Sequence, residues 1–243
     1  MKKHLLILIA VVALVAFNTN TSNAQNGNYP VLEYITGTWC QWCPCGHTII
    51  TGILQNYPNT MVLGYHGAGS DPWQSWTSGI RLMLFGSSQS YPTGIVGRRT
   101  GVIGRDGWNN QVVLQSNLPQ FAPGVSIVVN DKQYNSTTRT ITANVVLTAL
   151  STLTGDYNVM FVLTEDNIVY PQTGNGSCPG SSNYIHKNVV KAMINGDMGT
   201  VLITTDTWTQ GNAVTVPLNY TVPSTVVDQN AKVNIFVFKN EAL

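Results

Sequence analysis

Two patterns of hydrophobic and polar positions divide the chain. Up to about residue 122, short apolar segments alternate with stretches that have helical spacing. After Pro123, segments rich in Val, Ile, Thr and Tyr follow one another with turn residues between them. The first pattern predicts an α/β layered structure and the second predicts a β-sandwich. We therefore expect an α/β domain over residues 25–122 and an all-β domain over residues 123–243.

Individual elements follow from the same patterns. In the first half they are strands at 31–35 and 61–66, helices at 43–55, 71–84 and 106–118, and a hairpin of 94–97 with 102–104. Asp71 is expected to cap the second helix, and Arg98 and Arg99 to be surface charges of the hairpin. In the second half the predicted strands are 125–130, 138–147, 158–166, 185–194, 213–220 and 232–238.

The first 24 residues have the pattern of a signal peptide. Lys2 and Lys3 precede an apolar run over residues 5–17, and a small residue at Ala24 ends the polar stretch that follows. A transmembrane anchor is the alternative, but a helix of that run measures about 20 Å against a hydrocarbon core of about 30 Å. We expect cleavage after Ala24 and export to a compartment where disulfides persist.

Composition narrows the functional classes. Hydrophobic residues make up 43% of the chain and charged residues only 9%, with a formal net charge of +1. Loss of Lys2 and Lys3 with the signal peptide leaves 10 basic against 11 acidic residues, a net charge of −1. A nucleic-acid-binding surface needs clustered Lys and Arg, so this class is excluded. No cofactor-binding motif is recognised, and no cofactor is expected.

Three of the four cysteines lie in one short segment. It contains Cys40, Cys43 and Cys45 and follows the first predicted strand directly. A Cys-x-x-Cys pair at a strand-to-helix junction places the first sulfur near the free N–H groups of the helix, which stabilise a thiolate. The second cysteine can then resolve a mixed disulfide. A Zn or Cu(I) site of these three cysteines with His47 is the alternative, but it would require a loop where a helix is predicted.

A proline further along the chain fits the same interpretation. Tyr91 and Pro92 come just before the predicted strand at 94–97. A cis proline there would lie against the disulfide and leave nearby backbone groups free for a substrate, although an ordinary trans proline in a turn remains the alternative. Trp39 and Trp42 flank the cysteines and are candidates, with Tyr91, for contacting a client peptide.

These segments resemble a family, the thioredoxin-like outer-membrane proteins called the "twenty-eight-kilodalton" family of Bacteroidetes-type bacteria. The residues that carry the resemblance are VLEYITGTWC at 31–40, the Pro after the Cys-x-x-Cys, residues 65–66, residues 91–94 with Arg98, NYIHKNVVKA at 183–192, and residues 195–196. The resemblance implies a thioredoxin-like domain followed by an immunoglobulin-like β-domain. One departure concerns proton transfer, because Tyr34 occupies the position of the usual acid. Glu33 is adjacent and is expected to face the other side of the sheet.

The remaining cysteines suggest a second bridge. Cys45 is two residues past Cys43, so on a helix their side chains point about 200° apart. Cys178 lies in a predicted loop over residues 171–183. Four cysteines permit three pairings, and our hypothesis is a structural Cys45–Cys178 disulfide that pins this loop beside the Cys-x-x-Cys pair.

Two functions are compatible with these features of the sequence. The first is thiol–disulfide oxidoreduction in the bacterial cell envelope, with Cys40 as nucleophile, Cys43 as resolving thiol and Pro92 positioning the substrate. Its partners would be cysteine-containing envelope proteins or a redox partner protein. The second is a non-catalytic binding or assembly protein, associated with the outer membrane or the cell surface, in which Cys40–Cys43 is a structural disulfide.

Overall fold

The computed structural model describes residues 28–74, 77–87, 90–203 and 206–240. The predicted signal peptide, residues 1–24, lies outside these ranges. Within them the chain forms a mixed sheet with parallel strands, flanked by helices, together with separate antiparallel sheets. At this level the prediction of an α/β part combined with a β-rich part is confirmed.

The mixed sheet is centred on strand β1 (Val31–Thr36). This strand runs parallel to β2 (Met61–His66) and antiparallel to β3 (Thr93–Val96), which pairs in turn with the short β4 (Ile103–Gly104). All six residues of β1 are buried. This burial is typical of a strand that is covered on both faces of its sheet.

Helices cover both faces of this part of the sheet. They are α1 (Cys43–Asn56), α2 (Ser78–Phe85) and α3 (Trp108–Asn117). Tyr34 of β1 belongs to an apolar cluster with residues of α1 and α3, whereas Ile35 belongs to a cluster with residues of α2. Because successive strand residues point to opposite faces, α1 and α3 lie on one face and α2 lies on the other.

The sheet continues into the β-rich part of the chain. The strands of this extension are β8 (Tyr157–Glu165), β11 (Val189–Met193), β12 (Thr200–Ile203) and β15 (Ala231–Lys239). β11 joins β2 in parallel, with Val189 opposite Gly64, and β8 pairs antiparallel with β11, β12 and β15. In the described part of the chain, eight strands therefore form one sheet.

Smaller antiparallel sheets complete the β-rich part. They are β5 (Val125–Asn135) with β6 (Thr140–Ala149) and β14 (Ala213–Thr221), β9 (Ile168–Gln172) with β10 (Ser181–His186), and β7 (Leu153–Thr154) with β13 (Thr207–Trp208). Val145 and Leu147 of β6 share a buried cluster with Val159 and Phe161 of β8. The three-stranded sheet therefore packs on the extension of the mixed sheet.

Three predicted elements differ from the structure. The helix expected from Asp71 begins only at Ser78. One oxygen of the Asp71 carboxylate accepts the Trp73 N–H, and the other bonds to Thr38 and His66, which lie outside any helix. The strand expected over 185–194 is two strands, β10 and β11, since Asn188 between them has a φ of 56°. The loop expected over 171–183 is shorter at both ends, because residues 171–172 belong to β9 and residues 181–183 belong to β10.

One hydrophobic core contains residues from both parts of the chain. Leu63 and Tyr65 of β2 and Leu84 of α2 cluster with Val162 of β8 and Phe236 of β15, all buried. The two parts thus share apolar packing as well as a sheet. The division into domains at residue 122 stays a prediction about how the chain is organised.

Candidate functional site

The Cys-x-x-Cys segment is shaped by two consecutive turns between β1 and α1. The Cys40 N–H donates to the Gly37 carbonyl (3.0 Å), and the Cys43 N–H donates to the Cys40 carbonyl (3.2 Å). Cys40 and Cys43 form a disulfide with a Cα–Cα distance of 5.4 Å. The first turn of α1, which the structure describes in full, holds no acidic residue. The positive end of the helix dipole is therefore free to stabilise a thiolate at Cys40 after reduction.

The Tyr91–Pro92 segment lies against this disulfide. Its peptide bond is cis, and the Tyr91 carbonyl oxygen is 3.5 Å from Cys40 Sγ. A Cβ added at Gly46 of α1 would lie 3.0 Å from Pro92 Cγ and 3.3 Å from the Trp108 ring. Gly46 therefore allows the proline and the tryptophan to approach the start of α1 closely.

A cleft of about 360 Å³ opens beside the disulfide. Its walls are formed by Trp42, Ser90, Tyr91, Pro92, Thr93, Gly104, Arg105 and Asp106. Trp42 is exposed, and the Arg105 guanidinium lies 5.7 Å from its ring centroid. Trp39 is also exposed but does not line the cleft; its ring lies 5.2 Å from that of Tyr91, and its indole N–H donates to the Ala68 carbonyl (2.8 Å).

Glu33 and Tyr34, the two residues at or next to the position of the usual proton-transferring acid, face opposite sides of the sheet. Glu33 is fully buried and accepts hydrogen bonds from Tyr65 (2.7 Å) and from Arg98 (2.8 and 2.9 Å). Arg98 was expected to be a surface charge, but its side chain is only 4% exposed and stacks on Phe238. A carboxylate committed to an ion pair on this face is not available to the cysteines on the other.

On the cysteine side of the sheet, neutral aromatic groups replace the acid. Burial raises the pKa of Tyr34 well above its ordinary value, so the phenol stays protonated. His47 of α1 hydrogen-bonds to Tyr184 through Nδ1 (2.8 Å) and to Thr36 through Nε2 (3.3 Å). Burial, reinforced by nearby His66 and then by another histidine, lowers the pKa of His47 to about 3. The imidazole is therefore neutral at ordinary pH.

Asp71 supports the cysteine loop from another side. Its carboxylate accepts hydrogen bonds from the Thr38 N–H (2.9 Å) and the Trp73 N–H (2.9 Å), and it pairs with His66 Nδ1 (2.8 Å). Burial alone would raise the pKa of Asp71, but the bonds from His66, Thr38 and Trp73 outweigh it and hold the pKa below its ordinary value. Asp71 thus stays charged while it anchors the loop.

A segment from the β-rich part also binds the cysteine loop. Gln172 donates through Nε2 to the carbonyls of Gly37 (3.1 Å) and Cys40 (3.0 Å). The neighbouring Thr173 N–H donates to the Thr38 carbonyl (2.7 Å). No spacing or motif marks Gln172 in the sequence, so it is absent from the predicted site. Only the tertiary fold brings it to Cys40, 132 residues away.

The other two cysteines are joined in the structure. Cys45 in the first turns of α1 bonds to Cys178, 133 residues later, with a Cα–Cα distance of 5.0 Å. Asn175 lies between Gln172 and Cys178 and donates to the Gln41 carbonyl (3.1 Å). The Cys45–Cys178 bridge therefore attaches to α1 a segment that already contacts the cysteine loop.

A metal site at the same cysteines would compete with these bonds. Cys40, Cys43 and Cys45 belong to two different disulfides, and a sulfur in a disulfide is not the thiolate that coordinates a metal. Within the described ranges, no cluster of three or more His, Cys, Asp or Glu side chains has a geometry suited to a metal ion.

The helices and the disulfides both bear on where the chain works. No helix in the described part of the chain has the length and apolar character needed to cross a bilayer. The two disulfides are typical of proteins that work outside the cytoplasm.

Comparison with known proteins gives a fold but no family. No protein-family model and no curated protein matches the chain. Among solved structures, HBP35 of Porphyromonas gingivalis is similar, with a TM-score of 0.66 and 17% identity over 88% of this chain and 70% of that one. At this identity the likeness concerns the fold alone. The chain therefore combines a fold similar to that of HBP35 with a Cys-x-x-Cys disulfide at the start of a helix.

Proposed function

We propose that the chain is an exported thiol–disulfide oxidoreductase of the bacterial cell envelope. The observation that carries the proposal is the Cys40–Cys43 disulfide at the start of α1, with Cys40 Sγ 3.5 Å from the carbonyl before cis Pro92. The cleft beside it supplies room for a peptide, and the helix end supplies stabilisation for a thiolate.

Cys40 acts as the nucleophile and Cys43 as the resolving thiol. In the reductive direction, the Cys40 thiolate attacks a substrate disulfide, forms a mixed disulfide and releases one substrate thiolate. The Cys43 thiolate then attacks Cys40 Sγ, releases the second substrate thiolate and restores the Cys40–Cys43 bond. Two electrons pass to the substrate, and a dithiol redox partner must return them; the oxidative direction is the reverse.

The cleft walls define how a substrate would be held. Trp42 offers an exposed apolar face, Tyr91 offers backbone groups beside the sulfur, and Pro92 fixes the backbone direction. Trp39 contributes by supporting the Tyr91 ring. We propose cysteine-containing envelope proteins, or a redox partner protein, as the molecules that occupy this cleft.

The wider assignment follows the resemblance carried by residues 31–40 and 183–192. We place the chain with the thioredoxin-like outer-membrane proteins of the "twenty-eight-kilodalton" family, with an immunoglobulin-like sandwich in the region after residue 122. The two sheets that share a core through Val145 and Phe161 support the sandwich. The periplasm or the outer membrane is the proposed location, supported by two disulfides.

Insulin reduction and dithiol oxidation test the proposal. Cys40→Ser should abolish turnover, whereas Cys43→Ser should accumulate a mixed disulfide through Cys40, because the resolving step is lost. Val201→Ala, an exposed side chain of β12, serves as the control with unchanged turnover. Absence of turnover in the unaltered protein, or turnover that survives Cys40→Ser, would reject an oxidoreductase.

A structural role for the same disulfide is the second candidate. Cys40 and Cys43 are only 3% and 0% exposed, and the acid position is held by protonated Tyr34. The chain would then be a non-catalytic binding or assembly protein of the outer membrane or cell surface. The reduction potential of the Cys40–Cys43 pair separates the two: below about −300 mV it indicates a structural bond, and above that value an active couple.

A further inference from the structure

We propose that Gln172 is a positioning residue for the Cys40–Cys43 couple. By holding the carbonyls of Gly37 and Cys40, its amide stabilises the closed, disulfide form of the loop relative to the dithiol. This inference rests on the proposed redox function and extends it to a residue that lies far from the Cys-x-x-Cys motif in sequence.

Both turns of the cysteine loop converge on the Gln172 side chain. The carbonyls of Gly37 and Cys40 are the acceptors of the two turns that bring the cysteines together. The same two carbonyls accept hydrogen bonds from Gln172 Nε2, at 3.1 and 3.0 Å. A change in either turn therefore changes the geometry at Gln172, and the reverse also holds.

Gln172 also belongs to a continuous contact with the loop. Residues 172–178, here called the strap, bind four carbonyls of the loop: Gly37, Thr38, Cys40 and Gln41. The Thr173 N–H and the Asn175 side chain supply the bonds that Gln172 does not. Cys178 fixes the far end of the strap to α1 through Cys45. Both ends of the strap are thus held, so Gln172 cannot follow the loop freely when the loop changes shape.

The Gln172 side chain is buried. The residue is 3% exposed, and its Oε1 is buried without a hydrogen-bond partner among the described residues. An unpaired buried acceptor is unfavourable, so a position needed only for packing would be better filled by an apolar side chain. The two N–H donors of the amide lie near three carbonyls, those of Gly37 and Cys40 in the loop and that of Thr173 at 3.0 Å. These donors explain why a glutamine is useful here.

The direction of the effect depends on which form of the loop, disulfide or dithiol, is destabilised more when the Gln172 hydrogen bonds are lost. In the disulfide form, the S–S bond holds the loop closed and its carbonyls stay buried even if Gln172 is removed. In the dithiol form, the loop can relax, and its carbonyls can find other partners. Loss of the Gln172 donors therefore penalises the disulfide more than the dithiol, which makes the pair easier to reduce.

The experiment measures the equilibrium of the purified full-length mature chain with glutathione, in which the disulfide and two GSH give the dithiol and GSSG. Differential alkylation and peptide mass analysis report Cys40–Cys43 separately from Cys45–Cys178. Gln172→Met keeps the length of the side chain and removes its donors. The carbonyls of Gly37 and Cys40 keep their turn bonds in this variant. We therefore expect the equilibrium to shift toward the dithiol by at least about twofold, the lower end of what one lost hydrogen bond contributes.

A matched control is available in Gln115 of α3. This residue is also buried, and its Nε2 donates to the Val96 carbonyl at 2.9 Å. Gln115→Met should lower the free energy of unfolding without moving the glutathione equilibrium. Gln172→Asn, whose amide is one methylene too short to keep both bonds, should shift the equilibrium in the same direction as Gln172→Met and covers the case in which that variant does not fold.

An unchanged equilibrium in either folded Gln172 variant overturns the proposal, as does an equal shift in Gln115→Met. The glutathione equilibrium exists whether or not the protein turns over insulin. A chain that is inactive toward insulin but responds to Gln172→Met would therefore reject the oxidoreductase and keep the positioning role. An active chain that does not respond would do the opposite.

Discussion

The Cys45–Cys178 bridge should contribute more to stability than the Cys40–Cys43 bridge, because it closes a much longer loop. The two cysteines are 133 residues apart, whereas Cys40 and Cys43 are 3 apart. In the chain-entropy model, the long loop restricts the unfolded state by about 5 kcal/mol and the short loop by about 2 kcal/mol. The Cys45→Ala/Cys178→Ala double variant should therefore lose about 5 kcal/mol of unfolding free energy.

The assay is urea unfolding of the oxidised protein without reductant, followed by tryptophan fluorescence and by circular dichroism. A single transition is expected from both probes, because the mixed sheet and one of its cores include strands from both parts of the chain. The slope of free energy against urea should rise in the double variant, since its unfolded chain is less restricted and exposes more surface.

The matched control is the Cys40→Ala/Cys43→Ala double variant, which removes the short loop only. Its expected loss of about 2 kcal/mol leaves a gap of about 3 kcal/mol between the two variants. Equal losses in the two variants, or a loss below about 2 kcal/mol for the Cys45 and Cys178 pair, would show that loop closure does not govern the contribution of this bridge.

Three further predictions concern buried contacts. Arg98→Met should lower the unfolding free energy by about 3–5 kcal/mol, because it leaves the Glu33 carboxylate buried without its cation; a urea midpoint close to that of the parent protein would contradict this. His47 has a pKa of about 3 in the native state and an ordinary pKa of about 6.5 in the unfolded state, so between these values only the unfolded state binds the proton. Stability should therefore fall as the pH drops below about 6.5. His47→Asn should reduce the loss between pH 7 and pH 5 by about 2 kcal/mol in urea titrations at the two pH values, and an identical pH dependence would exclude this source. Gly64→Ala should destabilise by about 1–3 kcal/mol, since its Cβ would lie 2.8 Å from the Tyr34 hydroxyl oxygen, and a Tyr34→Phe background should recover part of the lost urea midpoint.

The elements that sequence predicts best are those whose signals are local. The strand at 61–66 has the predicted bounds, and α1 begins at Cys43, as predicted from the strand-to-helix junction at the Cys-x-x-Cys pair. The alternation along β1 also places Glu33 and Tyr34 on opposite faces, as expected, because that alternation is a property of the strand itself.

The errors at Arg98 and Asp71 come from contacts that form only when neighbouring elements of the fold come together. Arg98 has the position of a hairpin charge, but Glu33 lies beside it across the sheet and makes its burial favourable. Asp71 has the pattern of a helix cap and one of its oxygens does accept the Trp73 N–H, but the other oxygen is bound by His66 and Thr38 and no helix starts there. Local propensity does not indicate these partners, because the competing bonds form only after the strands are assembled.

The candidate site shows the same division more sharply. Cys40 and Pro92 carry recognisable local signals, because their chemistry depends on spacing and on position relative to a strand or a helix. Gln172 carries none, since a single glutamine at the end of a short strand is compatible with many environments. Its importance rests on two carbonyls that converge on it from a loop 132 residues away.

The cysteine loop is held in place by both parts of the chain. Residues before 122 supply both cysteines of the proposed couple, but the carbonyls of Gly37, Cys40 and Gln41 are held by the strap from the β-rich part. The strap is fixed to α1 by the Cys45–Cys178 disulfide, and the β-rich part is joined to β2 where β11 pairs at Gly64. A fragment limited to the first part would expose the edge of β2 and remove the donors that the strap supplies to these loop carbonyls. If the pair is a redox couple as proposed, the strap from the β-rich part contributes to its redox behaviour.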